Sequence, residues 1–398
     1  MSRIKRDLLS LAVAALFLWA VWPERFTFNM PTQWGRSTLT ADVLHNRLQL
    51  PQGFSIAVYA SGLPGARLLR FTETGDLLVS LTHTGRIVLL ERDMDADGRP
   101  DGSHDLLTGL KWPHGIDLYS GWLYVAETHR VGRIRFDVKK RQVSGTLEHV
   151  LELPAGGQHV MRTVRFGSDG WLYVSVGSSC NACEERDPRR AALLRARPDG
   201  TEAHLYASGL RNTVGFDWRP GANELYGTDN GRDFLGDDAP PCELNRIELS
   251  QFYGWPYANG GRIPDPDFSK DHEDKVRASA APVHTFGAHT SPLGISFISG
   301  KGLPEDYQGA ALVALHGSWN RTEKVGYEVV SLHFDEKEEI MERKFATGFE
   351  LDEDVIGRPV DVTEGPDGAI YISDDFTGSV YRVIYRSDGS QDSDGKTD

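Results

Sequence analysis

A short unit recurs six times along the chain and strongly limits what the chain can fold into. Each copy has an apolar strand, a tight turn and a second strand of the Leu-Tyr-Val type; the copies are Phe71–Ser80, Ile116–Ala126, Val164–Ser175, Phe216–Gly227, Ile295–Ala314 and Val362–Ser373. Their turn residues follow one another at steps of roughly 46, 49, 53, 86 and 59 residues, as in blades of four strands with one insertion. The sequence therefore predicts an all-β, six-bladed β-propeller of four-stranded antiparallel blades.

Such blades have two apolar faces, which they can bury only against neighbouring blades, so the ring must close. An early strand, Phe54–Ala60, precedes the first copy, and the chain ends on a strand at Ser379–Tyr385. We expect the early strand to complete the last blade and leave no open edge. The propeller would then span residues 51–386, with the insertion at about Asp229 to Thr290.

The flanking segments have different compositions. Residues 24–50 read as a linker with one short helix near Leu39–Leu48, and the tail, 387–398, is rich in Ser, Asp and Gly and is predicted to be disordered.

The apolar run Leu8–Trp22 follows three basic residues and ends before Pro23. A run of about 15 residues suits a signal peptide, whereas the bulky residues after it do not resemble a cleavage site. Residues 1–23 are therefore predicted to be either a signal peptide or an uncleaved anchor. Both alternatives imply export to the periplasm or the outer face of a membrane, with possible membrane attachment.

Charge and cysteine content exclude two classes of protein. The formal net charge is -14, from 57 acidic and 43 basic residues, which argues against nucleic acid as a partner. Cys180, Cys183 and Cys242 are too few for a disulfide framework or a four-thiolate zinc site. We expect a local disulfide or buried thiols.

The segment D-M-D-A-D-G-R-P-D, Asp93–Asp101, places carboxylates at alternate positions before a glycine. This arrangement gathers hard oxygen atoms around one point, as calcium requires. It differs from an EF-hand, because a strand precedes it and His104 stands at the closing position. The predicted ligands are the side chains of Asp93, Asp95, Asp97 and Asp101 and the carbonyl of Arg99. The alternative is a solvated acidic turn.

His159 is a candidate general base, because it lies directly before a blade strand, on a loop expected to face the axis of the ring. An imidazole titrates near neutral pH and can accept a hydroxyl proton. A structural, hydrogen-bonded histidine is the alternative, and His114 and His316 occupy comparable loop positions.

Arg211, Arg321 and Arg358 lie at or near the loops that enter or leave blades. Several arginines in equivalent loops of an acidic protein could bind a polyanionic small ligand through forked hydrogen bonds. Alternatively, each could pair with a neighbouring carboxylate such as Asp233 or Asp361.

Several longer segments carry a family resemblance. They include W-P-H-G-I, G-G-Q-H-V-M-R-T-V-R-F, L-Y-V-S-V-G-S-S-C-N, G-L-R-N-T-V-G-F, N-G-R-D-F-L-G-D-D-A-P-P, A-L-H-G-S-W-N-R and G-R-P-V-D-V-T-E-G-P-D-G. Through these segments the chain resembles the PQQ (pyrroloquinoline quinone)-dependent sugar dehydrogenases of the soluble glucose dehydrogenase superfamily, in its sorbosone dehydrogenase-like branch.

The resemblance implies a six-bladed propeller with PQQ and a calcium ion at the top of the axis. It implies that His159 is the general base, that Arg211 and Asn212 contact the quinone oxygens, and that Arg358 meets a cofactor carboxylate. Asn320 or Arg321 would lie near a further cofactor contact. The stretch Asn230-Gly231-Arg232 corresponds to the cofactor's calcium loop, with Asn230 beside the cofactor and Gly231 and Arg232 at the metal. Val360 stands where the glucose enzymes have a second arginine.

Three functions follow from these patterns. The first is a PQQ-dependent dehydrogenase that passes electrons from an aldose or aldehyde, of sorbosone or glucose type, to a quinone or other acceptor. The second is a calcium-dependent lactone hydrolase, and the third is a propeller that only binds a partner. The arginines favour the first function, since a hydrolase of that type would need carboxylates at the axis.

Overall fold

The structure is a computed structural model that describes residue 29 and residues 38–387. Helix α1 (Ala41–Arg47) leads into β1 (Phe54–Ala60). Blade one is β2 (Ala66–Phe71), β3 (Leu77–Leu81), β4 (Arg86–Leu90) and β5 (Ser103–Leu107). Blade two is β6 (Ile116–Tyr119), β7 (Trp122–Glu127), β8 (Arg130–Asp137) and β9 (Gln142–Glu152). Blade three is β10 (Arg162–Phe166), β11 (Leu172–Val176), β12 (Ala192–Ala196) and β13 (His204–Ser208).

Blade four contains β14 (Thr213–Arg219), β15 (Glu224–Asp229), β16 (Pro241–Arg246) and, after an insertion with β17 (Ala258–Asn259), β18 (Ile263–Pro264) and α2 (Glu273–Ala278), β19 (His284–Ala288). Blade five has β20 (Pro292–Phe297), a 3-10 turn (Glu305–Tyr307), β21 (Ala311–Leu315), β22 (Glu328–Phe334) and β23 (Ile340–Ala346). After the hairpin β24 (Glu350–Leu351) and β25 (Asp354–Val355), blade six has β26 (Pro359–Glu364), β27 (Ile370–Asp374) and β28 (Ser379–Tyr385).

Strand β1 completes blade six, as the sequence predicts. It pairs antiparallel with β28, from Phe54 opposite Tyr385 to Ala60 opposite Val380. Each of the six repeated units forms the first hairpin of a blade. The chain is thus an all-β, six-bladed propeller whose last sheet is built from both ends of the described chain.

The Leu-Tyr-Val strands explain how the blades stack. Neighbouring side chains on a strand point to opposite faces of the sheet, so Leu123 packs between blades one and two while Tyr124 packs between blades two and three. Leu225 and Tyr226 divide in the same way between the two interfaces of blade four. An apolar cluster fills each of the six blade interfaces in the described part of the chain.

Buried aspartates near the axis link blade two to three, blade four to five and blade six to one. Each accepts a backbone N–H from the first strand of the next blade: Asp117 from Phe166 at 2.7 Å, Asp217 from Phe297 at 2.8 Å and Asp361 from Leu69 at 2.9 Å. Burial raises the pKa of Asp361 to about 6. These bonds fix the inner strands, and therefore the loops that follow them.

The predicted position of the insertion needs a correction. The range Asp229–Thr290 also contains β16 and β19, two strands of blade four, so the extra chain divides into residues 230–240 and 247–283. The repeat pattern could not show this, because these two strands lack the repeated unit. The second part supports the first: Arg232 forms an ion pair of 2.8 Å with Asp265.

The predictions for the two ends of the chain fall largely outside the described residues. The signal peptide or anchor at 1–23 lies outside them, as does the predicted tail apart from Ser387. Of the predicted linker, the structure describes residue 29 and residues 38–50, including α1 where a short helix was expected. Among the described residues no helix combines the length and apolar character needed to span a membrane.

Candidate functional site

A cavity of about 280 Å³ lies at one end of the propeller. The loops that enter the first strands of the blades, and the loops that join second to third strands, supply most of its lining. Among the residues that line it are His159, Arg211, Asn212, Asn230, Gly231 and Arg358 from the predicted site, together with Arg67, Asp233, His289, His316 and Trp319. The ring therefore brings together groups that lie far apart in the sequence.

His159 lies on the loop before β10, where Arg162 holds its main chain. The buried Arg162 donates hydrogen bonds to the carbonyls of His159, at 2.7 Å, and Met161, at 2.9 Å. Nδ1 of His159 lies 2.8 Å from Oγ and 3.1 Å from the carbonyl oxygen of Ser178. Burial, with Arg211 nearby, lowers the pKa of His159 to about 3. The imidazole is therefore neutral at neutral pH.

A glycine lets the His159 and Asn212 loops meet. A Cβ atom on Gly177 would lie 2.6 Å from both Asn212 Oδ1 and His159 Cβ, closer than real Cβ contacts allow. The sequence has no side chain at the point where the two predicted functional residues approach each other. Substitution of Gly177 would push them apart.

The two alternative histidines differ in position. His114 is fully buried below the cavity, where its Nδ1 lies 3.3 Å from Thr163 Oγ1, and it is not part of the lining. His316 lines the cavity, and its Nε2 lies 2.9 Å from Asp375 Oδ1. Burial and Arg358 lower the pKa of His316 to about 4. His316 therefore stays a rival of His159 by position, but a carboxylate already binds its Nε2.

Arg211 is buried and held by the main chain and side chain of Asn181. Its Nε donates to Asn181 O at 2.9 Å and its NH2 to Asn181 Oδ1 at 2.8 Å, while NH1 donates to Asn230 O at 3.0 Å. A weaker ion pair of 3.5 Å joins it to Asp233. These contacts fix the guanidinium at the cavity wall.

Arg67, which the sequence did not indicate, adds a third guanidinium to those of Arg211 and Arg358. It pairs with Asp375 at 2.6 Å, and its Nε is buried with no hydrogen-bond partner among the described residues. Nε of Arg358 donates to His316 O at 3.2 Å. Arg67 lies near the start of β2, four residues before the first repeated unit, and its pairing with Asp375 of blade six shows its place beside the cavity.

Acceptor oxygens gather next to Asn230 and Gly231. Asn230 Oδ1 is buried without a hydrogen-bond partner among the described residues. Asp229 and Glu243 lie opposite each other on β15 and β16 and line a small adjoining cavity with Asn230 and Gly231. Burial raises the pKa of Asp229 well above its usual value and that of Glu243 to about 7. These hard oxygen atoms are of the kind that calcium prefers.

Three residues predicted at the cofactor or its calcium ion do not line the main cavity. Arg232 borders the small adjoining cavity and pairs with Asp265 and Asp267. Asn320 accepts a hydrogen bond from Phe234 N at 2.7 Å, and Arg321 donates to Asp237 O at 2.6 Å. The last two fix the 231–238 loop, and their role as cofactor contacts stays a prediction.

The acidic loop Asp93–Asp101 joins β4 to β5, at the end of the propeller opposite the cavity. Asp93, Asp95 and Asp101 each offer a carboxylate oxygen within 4.8 Å of the others, and Asp93 Oδ1 has no hydrogen-bond partner among the described residues. Asp97 is not part of this group; its Oδ1 accepts from Arg99 N at 2.8 Å. Calcium binding by the loop, including the Arg99 carbonyl, stays a prediction.

The sequence predicts a local disulfide or buried thiols, and the structure contains both. Cys180 and Cys183 form a disulfide beside the cavity, and Cys242 is a buried free thiol.

Comparison with known proteins decides the family. Residues 118–382 match the model of the family described as glucose/sorbosone dehydrogenase. The chain belongs to that family. It is 28% identical to an uncharacterized protein of Borreliella burgdorferi over 365 residues, which cover 87% of this chain and 93% of the relative.

Two solved structures show the same fold as this glucose/sorbosone dehydrogenase family member. The holo PQQ domain of pyranose dehydrogenase from Coprinopsis cinerea is 20% identical, with a TM-score of 0.72 over 85% of this chain and 97% of that one. A calcium structure of a family AA12 carbohydrate-active enzyme of Trichoderma reesei is 21% identical, with a TM-score of 0.73 over 89% of this chain and 100% of that one.

Proposed function

We propose that this protein is a PQQ-dependent dehydrogenase that oxidises an aldose sugar or a related aldehyde. The observation that carries the proposal is a neutral imidazole and three guanidinium groups around one cavity, namely His159 with Arg67, Arg211 and Arg358. PQQ carries three carboxylates, which guanidinium groups bind well through charge-assisted hydrogen bonds. Membership of the glucose/sorbosone dehydrogenase family and the PQQ domain among its structural neighbours support the same function.

The cavity fits such a cofactor. The buried Nε of Arg67 has no hydrogen-bond partner within residues 38–387 or at residue 29. A buried donor left unpaired costs about 1–3 kcal/mol, so an anionic ligand there would relieve the cost. Arg211 and Asn212 would contact the quinone oxygens, and Arg358 with Arg67 would bind carboxylates. Arg67 would then supply the cationic group that Val360 removes from the family pattern.

Calcium also fits, on the wall below the cavity. Asn230 Oδ1 has no hydrogen-bond partner among the described residues, and Asp229 and Glu243 have raised pKa values; hard oxygen atoms of this kind are calcium ligands. Asn230 and the carbonyl oxygens of Gly231 and Arg232 would hold the ion, which would act as a Lewis acid beside the quinone. The calcium structure of the Trichoderma reesei neighbour supports calcium as the ion.

The chain's own residues would move the proton. When bound, PQQ supplies the quinone that accepts a hydride. His159, neutral at neutral pH, would accept the proton of the substrate hydroxyl through Nε2, since its Nδ1 contacts Ser178. Asp233, held by Arg211, lines the same cavity and could bind other hydroxyl groups of a sugar. The electron acceptor would be a quinone or another small oxidant.

Reconstitution of the purified protein with PQQ and calcium tests the function. We expect quinone absorbance to stay with the protein through gel filtration, and a dye to be reduced with some members of a panel of aldoses and aldehydes. His159→Ala should keep the bound quinone and lose turnover by about 100-fold or more, whereas His204→Ala, at an exposed residue outside the cavity, should keep both. Absence of bound quinone and of dye reduction with every substrate would contradict the proposal.

We also propose that the protein acts outside the cytoplasm, with residues 1–23 as a signal peptide or membrane anchor. The basic residues before the apolar run Leu8–Trp22 support export. Fractionation of cells that express the full chain, with N-terminal sequencing of the product, would distinguish a cleaved from an attached segment. Recovery of the intact chain in the cytoplasm would contradict export.

A further inference from the structure

The loop closed by the Cys180–Cys183 disulfide contacts two residues that line the cavity, Arg211 and Asp233. Asn181, between the two cysteines, accepts two hydrogen bonds from Arg211 and a third, at 2.8 Å, from Asp233 N. Its Nδ2 donates to Asp233 O at 3.1 Å. One residue of the disulfide loop therefore fixes the guanidinium of Arg211 and the loop that carries Asp233.

The same loop determines which hydrogen bond Ser178 can make with His159. Ser178 Oγ donates its single proton to Cys180 O at 2.7 Å. Towards His159 Nδ1, at 2.8 Å, this hydroxyl can then only accept, as can the Ser178 carbonyl at 3.1 Å. Both contacts require a proton on Nδ1 of His159. Nε2 is left without a proton, as a base needs.

We infer that the Cys180–Cys183 disulfide is a positioning element for the site: through Ser178 it holds His159 as the Nδ1-protonated tautomer, and through Asn181 it orients Arg211. The inference rests on the proposed function for the roles of these two residues as base and cofactor contact. The closed ring of the disulfide restricts the main chain of residues 180–183, which presents Cys180 O and Asn181 O in fixed directions.

Opening the ring should loosen both contacts. A dithiol such as dithiothreitol would transfer two electrons and two protons to the disulfide, giving two cysteine thiols and its own cyclic disulfide. With Cys180 O released, the Ser178 hydroxyl is free to donate to His159 Nδ1, and the second tautomer gains population. Arg211 loses the fixed pair of acceptors on Asn181.

Nitrogen NMR of histidine-labelled protein tests the first half without any cofactor. With the disulfide intact, we expect the ring nitrogens of His159, assigned with His159→Gln, to show a single tautomer protonated at Nδ1. Reduction of the disulfide should shift these signals towards a mixture of the two tautomers. Mass spectrometry of trapped thiols verifies that the reduction is complete. The double variant Cys180→Ser/Cys183→Ser should show the mixture from the start and no response to dithiothreitol. A His159 protonated at Nε2 in the oxidised protein, or unchanged after full reduction, would overturn this half.

Binding of PQQ tests the second half. Asn181→Ala should raise the dissociation constant of PQQ by about 10-fold, as expected for lost hydrogen bonds to a charged group, and Asn181→Asp, which keeps the side-chain acceptor, should restore part of the affinity. Reduction of the wild type should lower kcat by about 10-fold or more and raise KM less. Equal PQQ affinity in Asn181→Ala and the wild type would overturn the role of Asn181.

The two proposals can fail separately. If PQQ does not bind the wild type but the tautomer of His159 still responds to reduction, the dehydrogenase function fails and the positioning by the disulfide stands. If PQQ binds and turns over while neither the tautomer nor the affinity responds, the function stands and the positioning fails.

Discussion

Arg67 in blade one and Asp375, directly after β27 of blade six, form an ion pair of 2.6 Å across the seam where the ring closes. The other oxygen of Asp375 lies 2.9 Å from Nε2 of His316. Burial acts to raise the pKa of Asp375, but His316 and Arg67 outweigh it, and the pKa lies well below its usual value. The carboxylate of Asp375 thus joins the first blade to the last and orders the side chains of Arg67 and His316 at the cavity.

Asp375→Asn should destabilise the protein by about 3–5 kcal/mol, because it leaves the buried Arg67 without its charged partner. Asp105→Asn, in the more exposed pair with Arg86, should change stability by about 1 kcal/mol or less. Urea denaturation at pH 7 measures both. Equal stability of the two variants would contradict a structural role for the pair.

The contribution of Asp375 should also depend on pH. Because its folded-state pKa is lowered, the ionised carboxylate stabilises the folded protein above its unfolded pKa of about 4. The contribution is lost as the pH falls below that value. The difference in unfolding free energy between the wild type and Asp375→Asn should therefore shrink between about pH 5 and pH 3. A difference that stays constant over this range would contradict the lowered pKa.

His159 should not titrate near pH 6.5. Burial and Arg211 lower the pKa of His159 to about 3, so the imidazole is neutral above about pH 4. Between pH 5 and 8, kcat/KM should therefore show no loss from protonation of His159. NMR titration of the apoprotein checks this directly. A midpoint for His159 near 6.5 would mean that the imidazole is more solvated than the structure shows.

Two of the predicted cofactor arginines should behave differently. Arg358→Gln should weaken PQQ binding by about 10- to 100-fold, as expected for a lost charged hydrogen bond of about 1.5–3 kcal/mol. Arg321→Gln should leave it within a few-fold, because Arg321 lies outside the cavity lining and binds Asp237 O. Equilibrium titration with PQQ measures both constants. The reverse order would return Arg321 to the cofactor site.

Calcium binding by the acidic loop can be measured apart from the cavity. Asp95→Ala should weaken calcium binding in calorimetry of the protein without PQQ, because Asp95 contributes one of three clustered oxygens. Asp97→Ala should have the smaller effect, since Asp97 lies outside that cluster. No heat at a site sensitive to Asp95 would make the loop an ordinary acidic turn.

The ring could be predicted from the sequence because its repeated hairpins mark every blade. The closing strand Phe54–Ala60 could be placed by the same reasoning, since a ring without it would leave an edge open. The boundaries of the insertion could not, because β16 and β19 carry no repeated unit and pair only through the fold.

The candidate site was predictable only in part. His159, Arg211 and Arg358 stand next to repeated strands, so their convergence follows from the ring. Arg67 and Asn181 were not found this way. Arg67 also stands on a first strand, but its orientation beside the cavity depends on its pairing with Asp375 of another blade. Asn181 acts through its carbonyl and side-chain oxygens, whose positions depend on the disulfide loop. Such contacts join residues far apart in the sequence, so the repeat pattern does not show them.

The pairing of β1 with β28 has a consequence for biosynthesis. The ribosome makes β1 long before its partner β28, Ser379–Tyr385, so blade six cannot be finished until β28 has been made. A product of premature termination would expose the edges of both β1 and β27, which are free to pair with other chains. The ring therefore closes only after β28 has been made and has paired with β1.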